Sequence, residues 1–498
     1  MMNQERQDVE QTEGQREAAS NGLPIYFAKT LAGMERLLKD ELIELGATDL
    51  VVVRRGVEFG ADMPTLVRVC LCTRFAIRVL RPVLWFKADN TDALYEEATK
   101  WEWGSVMSST ATFAIDVTSH SEFFTHSQFA TLRLKDAIVD HFRTSSGVRP
   151  NVDRENPDVR IHLHINQNQV TISLDASGRP LARRGYRPTG AKAPLSEVLA
   201  AGLLAKAGWK PGIPLYDPMC GSGTFTVEAA LWADGYPIQW HRRKFAFMDW
   251  RGFDEEVWWD VRDDLKAERQ LQESIIYTSD KDYGAVSQTR AALSNMELDG
   301  RAELGRSDFF KLIPRTDSGI VVINPPYGER MQVEDLDAMY SAIGDRLKSH
   351  WAGFSAWIIS SDFDALKRVG LKHSSRETMY NGPLECRWVG FELYEGSQEN
   401  KTAAVKSETT PIVVPAEEEV FAESMQESVS AVEEPAAAIE EVPVADSEVA
   451  PAVEEPAAAI EEVPIIDSEV APEAEAQIDV DVLVEKPKKP KSPKAAKS

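Results

Sequence analysis

Asn324-Pro325-Pro326-Tyr327 is the stretch of this chain whose residue types could do chemistry most directly. An exocyclic amine on a nucleobase is a poor nucleophile, because its lone pair is delocalised into the ring. Alkylating it requires acceptors that take both amine hydrogens and aim the lone pair at an electrophile. The Asn324 side-chain oxygen and the Pro325 carbonyl can be those acceptors, with Pro325 and Pro326 holding the carbonyl outward. Tyr327 offers a face on which an extruded base can stack. A rigid turn after a strand is the plain alternative for such a motif.

An electrophile needs a seat, and Leu215–Ala233, LYDPMCGSGTFTVEAALWA, has the form of one. It reads as a short apolar strand, a break at Asp217-Pro218, a small-residue loop and a helix. Asp217, Met219 and Cys220 lead into the loop, and Gly221 and Gly223 let a ligand approach its backbone. Two of the three glycines of the dinucleotide fingerprint are present and a phosphate-gripping Lys-Ser/Thr pair is not. That fits a nucleoside cofactor without a pyrophosphate, such as S-adenosylmethionine, better than NAD. Asp280, at the tip of the next strand (SIIYTSD), is expected to take the ribose hydroxyls. Asp308, at the end of a third, is expected to take the adenine amine. Asn324 follows a fourth strand, so these groups share one rim of a parallel sheet. No metal is required.

These groups must be positioned by the elements around them. Residues 1–22 read as disordered. Residues 23–88 carry the alternation of a ferredoxin-like βαββαβ unit. Residues 89–180 form a second α+β unit with a helix at Ser127–Phe142 and two closing strands. His162 and His164 fall on the polar face of one of those strands. Without a carboxylate or thiol at ligand spacing they read as strand histidines facing solvent rather than as a metal site. Arg133 and Lys135 on the helix, with Arg143, could touch phosphates or simply form a charged helix face. In the next segment Arg179, Arg183, Arg184, Arg187 and Lys192 are interleaved with Tyr186 and no acid. Basic groups position phosphates and an aromatic face stacks a base, while a solvated linker is the bland alternative. Residues 181–396 read as a Rossmann-like α/β domain closed by a hairpin at Asn381-Gly382. The aromatic-rich stretch 236–259 is expected to lie as a lid on its sheet edge.

Residues 397–498 collapse into Ala, Glu, Val and Pro, with VEEPAAAIEEVP repeated, and read as a disordered acidic tail. That tail biases the net charge of −25: residues 401–498 hold 8 Lys and 23 acidic groups, whereas the preceding 400 hold 47 basic and 57 acidic. The body is therefore only mildly acidic, and its charge neither supports nor excludes a polyanionic partner. Four cysteines without a disulfide framework point to a reducing compartment. With neither a signal segment nor a membrane-length apolar run, a cytoplasmic protein is expected.

The segments GATDLVVVRRGVEF, LKDAIVDHF, RPNVDRENPDVRI, RRGYR, APLSEVLA, DPMCGSGTFTVEAAL, NPPYGER and NGPLEC together resemble the THUMP-domain class I RNA methyltransferases. The likeness is greatest to the branch that forms N2-methylguanosine in bacterial 23S ribosomal RNA. It implies a ferredoxin-like plus THUMP RNA-binding module ahead of a seven-stranded Rossmann-like catalytic domain. It also implies S-adenosylmethionine as cofactor, and 23S ribosomal RNA or a large-subunit precursor as partner of a monomeric enzyme. Bifunctional relatives continue into a second methyltransferase domain where this chain has its acidic tail, so a second activity is not expected. Two other readings stay open: an adenine-N6 methyltransferase of DNA or RNA, which the rim motif serves equally well, and a non-catalytic RNA-binding assembly factor.

The tail has no periodic apolar face with which to join a core. Truncation after Ser397 is therefore expected to leave the melting temperature unchanged. A drop of several degrees in a thermal scan would show that the tail packs on the body.

Overall fold

The computed structural model describes residues 22–187, 195–326 and 336–395. Lys192, Tyr327, most of the amino-terminal segment and the acidic tail lie outside them.

The first half begins with β1 (Ile25–Lys29), α1 (Glu35–Glu44), β2 (Thr48–Val53), β3 (Gly56–Gly60), α2 (Met63–Cys72) and β4 (Arg78–Lys87). This is the βαββαβ unit expected from the periodicity. Asp62 caps α2 by accepting from the Thr65 N–H, and Pro64 sits in its first turn, where no donor is needed. The second unit adds α3 (Thr91–Lys100), β5 (Thr112–His120), α4 (Ser127–Ser146), β6 (Asn151–Val152), β7 (Val159–Asn166) and β8 (Gln169–Asp175). The two units share one sheet. β4 pairs antiparallel with β8, giving eight strands in the order β2-β3-β1-β4-β8-β7-β5-β6. Ile161, Leu163, Val170 and Ile172 pack under Leu134 and Ile138 of α4, so the helices cover one face of this sheet.

The second half comprises α5 (Glu197–Lys206), β9 (Leu215–Asp217), α6 (Thr224–Asp234), α7 (Glu255–Glu268), β10 (Ile276–Asp280) and α8 (Tyr283–Ser294). It continues with β11 (Glu303–Arg306), β12 (Gly319–Ile323), α9 (Leu336–His350), β13 (Phe354–Ser360), α10 (Phe363–Arg368), β14 (Ser375–Asn381) and β15 (Leu384–Glu392). The seven strands run β11-β10-β9-β12-β13-β15-β14. The first five are parallel and β15 is antiparallel to both neighbours. GIVVI and FSAWIIS are almost continuously apolar because helices cover both faces. Leu199, Val227 and Leu293 build the core on one side; Ile343, Leu347 and Ile358 build the other. Asn381 pairs with Leu384, so the expected hairpin turns at Gly382-Pro383.

The aromatic-rich stretch 236–259 departs from expectation. It does not cover an edge of the catalytic sheet. Phe245, Phe247, Trp250 and Trp258 are buried in the core of the first half. Backbone bonds hold it there: the Gln239 N–H donates to the Leu71 carbonyl at 3.0 Å, and the Phe247 N–H to the Ala176 carbonyl at 3.2 Å. The segment is a clamp, because rings of this area are stabilised most where another core remains open to them.

The basic segment after β8 is also corrected by the structure. Arg184 is 4% exposed. It donates to the carbonyls of Leu181 (2.7 Å) and Arg74 (2.5 Å) and lies 3.6 Å from the Glu228 carboxylate of α6. Tyr186 is fully buried and donates its hydroxyl to the same carboxylate at 3.1 Å. Arg187 donates to the Leu195 carbonyl (2.5 Å) and to Thr224 Oγ1 (3.2 Å), and pairs with Glu197 at 3.2 Å. Expected to hold RNA, these three side chains instead fix the segment on α5 and α6, and Arg184 ties it to the front module through the Arg74 carbonyl. Of the arginines in this segment, Arg179 and Arg183 are exposed.

Removing one partner of a buried pair leaves an uncompensated charge. Glu228→Ala is therefore expected to lower unfolding free energy by about 3–5 kcal/mol. Arg183→Ala should change it by no more than about 0.5 kcal/mol. Urea unfolding of both variants checks this, and equal small losses would show that the junction carries little stability.

Candidate active site

The register places the expected residues along one edge. Thr278 lies opposite Asp217, Asp280 opposite Arg306, and Val321 opposite Tyr216, all in parallel ladders. The carboxyl ends of β10, β9 and β12 are thus neighbours, and the strand order reverses at β9. Ligands of open α/β sheets sit at such a switch point. β9 runs into the glycine loop and α6, and β12 runs into Asn324.

The loop is held from below. Gly221 and Gly223 have φ of +54° and +78°, a region that side-chain-bearing residues avoid. A Cβ on Gly223 would come within 2.6 Å of the Thr289 side chain, whereas one on Gly221 would meet nothing within 4 Å. Gly223 is therefore fixed by contact with α8, and Gly221 turns toward open space. Thr289 Oγ1 donates to the Gly221 carbonyl at 3.0 Å, and the Gly221 N–H donates to Asp280 Oδ2 at 3.0 Å. Asp280 Oδ1 accepts from the Asp282 N–H at 3.0 Å. A carboxylate has lone pairs left over after these bonds, and Asp280 is half-buried rather than enclosed.

Asp217 is 1% exposed, so it acts on the loop rather than facing a ligand. Its Oδ2 accepts from the Thr226 hydroxyl at 2.8 Å, which ties the end of β9 to α6. Burial pushes its carboxyl up to about 7, against the Thr226 hydrogen bond and with help from the charge of Asp280. The Cys220 thiol is pushed up to about 12, chiefly by burial, and faces Thr289 Oγ1 at 3.5 Å. It is no thiolate nucleophile; what Cys220 offers a ligand is backbone. Met219 is half-buried against the Tyr216 core. Asp308 is half-buried and accepts from the Phe310 N–H at 3.1 Å.

Asn324 is half-buried and Pro325 buried. Among the described residues Asn324 Oδ1 has almost no accessible surface and no hydrogen-bond partner, and the same holds for Asp217 Oδ1 and Ser222 Oγ at this edge. An unmet buried polar atom costs about 1–3 kcal/mol, a cost that a bound ligand can relieve. Ser222, Thr226 and Thr289 were not singled out by sequence reasoning. Ser222 was visible as the only hydroxyl between the two glycines. Thr289 carries no local signal, since its partner Cys220 is distant in sequence.

Elsewhere, Arg133 donates to Asp92 at 2.7 Å and lies over the Tyr95 ring, while Lys135 pairs with Asp136 at 2.7 Å. Both are half-buried and locally engaged. A cavity of about 710 Å³ lies on the front module, lined in part by Ser108, Thr110, Ser146 and Asp158. Its hydroxyls bond within their own turns: Ser108 Oγ to Thr110 Oγ1 at 2.9 Å, Ser146 Oγ to the Phe142 carbonyl at 2.9 Å. The Asp158 carboxylate is engaged by Thr112. The groups expected from the sequence to react line the strand-end rim, not this cavity. Among the described residues no group of three His, Cys, Asp or Glu could hold a metal ion, and no helix is long and apolar enough to cross a membrane.

Residues 184–390 match the RMKL-like methyltransferase domain, 88–175 the THUMP domain and 26–80 the RlmL ferredoxin-like domain. Slr0064 of Synechocystis sp., an RNA methyltransferase by name, is 38% identical over 74% of this chain and 97% of its own length. The chain belongs to the RMKL-like methyltransferase family. The ribosomal RNA large subunit methyltransferase K/L of Syntrophotalea carbinolica is 37% identical over 74% of this chain and 54% of its own length. This RMKL-like chain thus spans about half the length of the K/L relatives it matches. The crystal structure of SMU.472 complexed with SAH superposes with a TM-score of 0.68 at 26% identity, covering 75% of this chain and 99% of that one. S-adenosylmethionine is the cofactor of this RMKL-like methyltransferase fold. The open side of Gly221 and the unpaired polar atoms at the rim fit a nucleoside group of that kind.

Asp217 gives the enzyme a pH signature. Its native pKa of about 7 lies above the unfolded value near 4, so the folded state holds this proton more tightly. The resulting stabilisation is full below about pH 4 and is lost, at about 1.4 kcal/mol per unit, as pH rises toward about 7. Asp217→Asn cannot ionise and should gain on the wild type across that interval in urea unfolding. A difference that stays constant with pH would show that Asp217 titrates in its ordinary range.

Proposed function

We propose that this methyltransferase modifies the exocyclic N2 amine of a guanine in 23S ribosomal RNA, or in a large-subunit precursor. The reading rests above all on Asn324, whose Oδ1 stands unpaired beside Pro325 at the switch point of the sheet. RNA as the substrate class is supported by the THUMP match and by the names of relatives that methylate large-subunit ribosomal RNA.

S-adenosylmethionine, when bound, supplies a methyl group on a positively charged sulfur. The residues of the chain do the rest. The loop around Gly221 and Gly223, with the backbone of Met219 and Cys220, receives the cofactor, and Asp217 holds that loop in place. Asp280 accepts from the ribose hydroxyls and Asp308 from the adenine amine. Asn324 Oδ1 and the Pro325 carbonyl accept the two amine hydrogens, which frees the nitrogen lone pair to point away from the ring. Pro325 and Pro326 fix the backbone that carries both acceptors. Tyr327, outside the described residues, is assigned to stack the base. Residues 23–88 and 89–180 present the RNA to the catalytic residues 181–396.

Asn324→Ala should keep cofactor affinity and lose about a hundredfold in methyl transfer, the scale of a lost positioning contact. Transfer of labelled methyl to a 23S transcript, with mass spectrometry of the modified nucleoside, measures this. Near-normal turnover would sink the amine-binding assignment, and N6-methyladenosine as product would replace guanine by adenine.

A further inference from the structure

On the face of the eight-stranded sheet opposite the helices, Leu80 and Ala114 are buried, whereas Trp85, Lys87, His164, Asn166 and His120 are exposed. Strand pairing sets the rows of that face. Trp85 of β4 stands opposite Thr171 of β8, Thr171 opposite His164 of β7, and His164 opposite Thr118 of β5. The adjoining row is Lys87, Gln169, Asn166 and His120. His162 stacks on His164 with ring centroids 6.5 Å apart. Trp85 is 68% exposed, although an indole is among the side chains that gain most from burial. Its row is otherwise hydroxyls and an imidazole.

Positive charge collects on this face. Lys29 of β1 stands opposite Arg78 of β4. Burial lowers the Lys29 pKa, and the nearby guanidiniums of Arg78 and Arg55 lower it further. His164 is lowered by burial and then by His120 and Lys29, and His162 by burial and then by Lys29 and His164. Of the acids here, Asp116 pairs with Arg160 at 3.2 Å and Asp175 with Arg78, and Glu58 of β3 stands opposite Phe27 on the same face. A protein partner would call for an apolar interface core; Phe27, Leu80 and Pro82 share this face but are not exposed, and Trp85 is its one exposed large apolar side chain among the described residues. A π-face among cations and hydrogen-bonding groups suits unpaired nucleotides.

We propose that this uncovered sheet face binds single-stranded RNA, with a base stacked on Trp85 beside His164 and the backbone phosphates drawn by Lys87 and Lys29. The proposal rests on the RNA reading above and names where, away from the catalytic rim, a substrate strand is gripped.

The test uses the full chain and a fluorescein-labelled oligouridylate of about twelve nucleotides. Trp85→Ala should weaken binding by about 5- to 100-fold, the range for loss of one stacked base. Melting temperature and S-adenosylmethionine affinity should not change. Trp85→Phe should recover most of the affinity. Lys87→Ala should lower the slope of log affinity against log salt by about 0.7, one phosphate contact on a single strand. On 23S transcript Trp85→Ala should raise KM and leave kcat at saturating RNA intact. Wild-type affinity of Trp85→Ala for the oligouridylate overturns the proposal, as does a wild-type protein that does not bind the oligonucleotide. A variant that loses a protein partner but keeps RNA overturns it too. Failure of the function reading looks different: wild-type protein then methylates no ribosomal RNA, whatever the variants do with the oligouridylate.

Discussion

One buried carboxylate couples the two halves of this protein. Glu228 lies on α6, a turn beyond the glycine loop, and meets Arg184 and the Tyr186 hydroxyl. Arg184 in turn donates to the Arg74 carbonyl at the end of the ferredoxin-like helix region. Arg187 reaches Thr224 at the start of the same α6. The helix whose amino end shapes the cofactor loop is therefore also the helix to which the front module is bolted. Burying these charges has a desolvation cost, which the close pairing and the extra hydrogen bonds offset. What the arrangement supplies is a fixed geometry: the front module cannot swing freely about the glycine loop.

The same economy appears within the loop. Asp217, Thr226 and Thr278 form a buried chain of hydrogen bonds between β9, α6 and β10. Thr289 and Asp280 hold Gly221 by its carbonyl and its N–H. Both sets fix backbone rather than present side chains. Positive φ favours glycine at both positions, and at Gly223 the contact with Thr289 also leaves no room for a Cβ. A loop held this way presents its amides without reorganising when a ligand arrives, which is the condition for electrostatic stabilisation at little entropic cost.

Much of this was legible in the amino-acid order, and the limits of legibility are physical. Alternation and 3.6-residue spacing describe local packing, so the βαββαβ unit, the parallel strands and the Asn381-Gly382 bend could be read directly. The strand-end position of Asp280, Asp308 and Asn324 followed from the same periodicity. Residue type misled where distant backbone supplied the partners. Arg184, Tyr186 and Arg187 look like a phosphate-binding surface because arginine is usually solvated, yet the Leu181 and Arg74 carbonyls and Glu228 satisfy Arg184 inside. The Phe245–Trp258 clamp failed for a related reason. Hydrophobicity says that these rings are buried but not against which sheet. The joining of the two front units through β4 and β8 left no trace either, since pairing between strands far apart in sequence has no local signature.

The burial of the linker arginines changes how this chain can attract a polyanion. The net charge of −25 is concentrated in the tail, and even the first 400 residues carry more acid than base. The net charge therefore supplies no long-range steering toward RNA, and any attraction falls to local groups. At physiological ionic strength exposed charges are screened beyond about 8 Å, so the acidic surplus elsewhere is not felt by a strand lying on a cationic patch. On the proposal made above, association depends on contact groups such as Trp85, His164 and Lys87 rather than on the field of the whole molecule. Stacking adds affinity that salt does not remove, and it tolerates any base. A loose, sequence-tolerant grip of this kind would leave discrimination to the acceptors proposed at Asn324 and Pro325, where the amine must satisfy both at once.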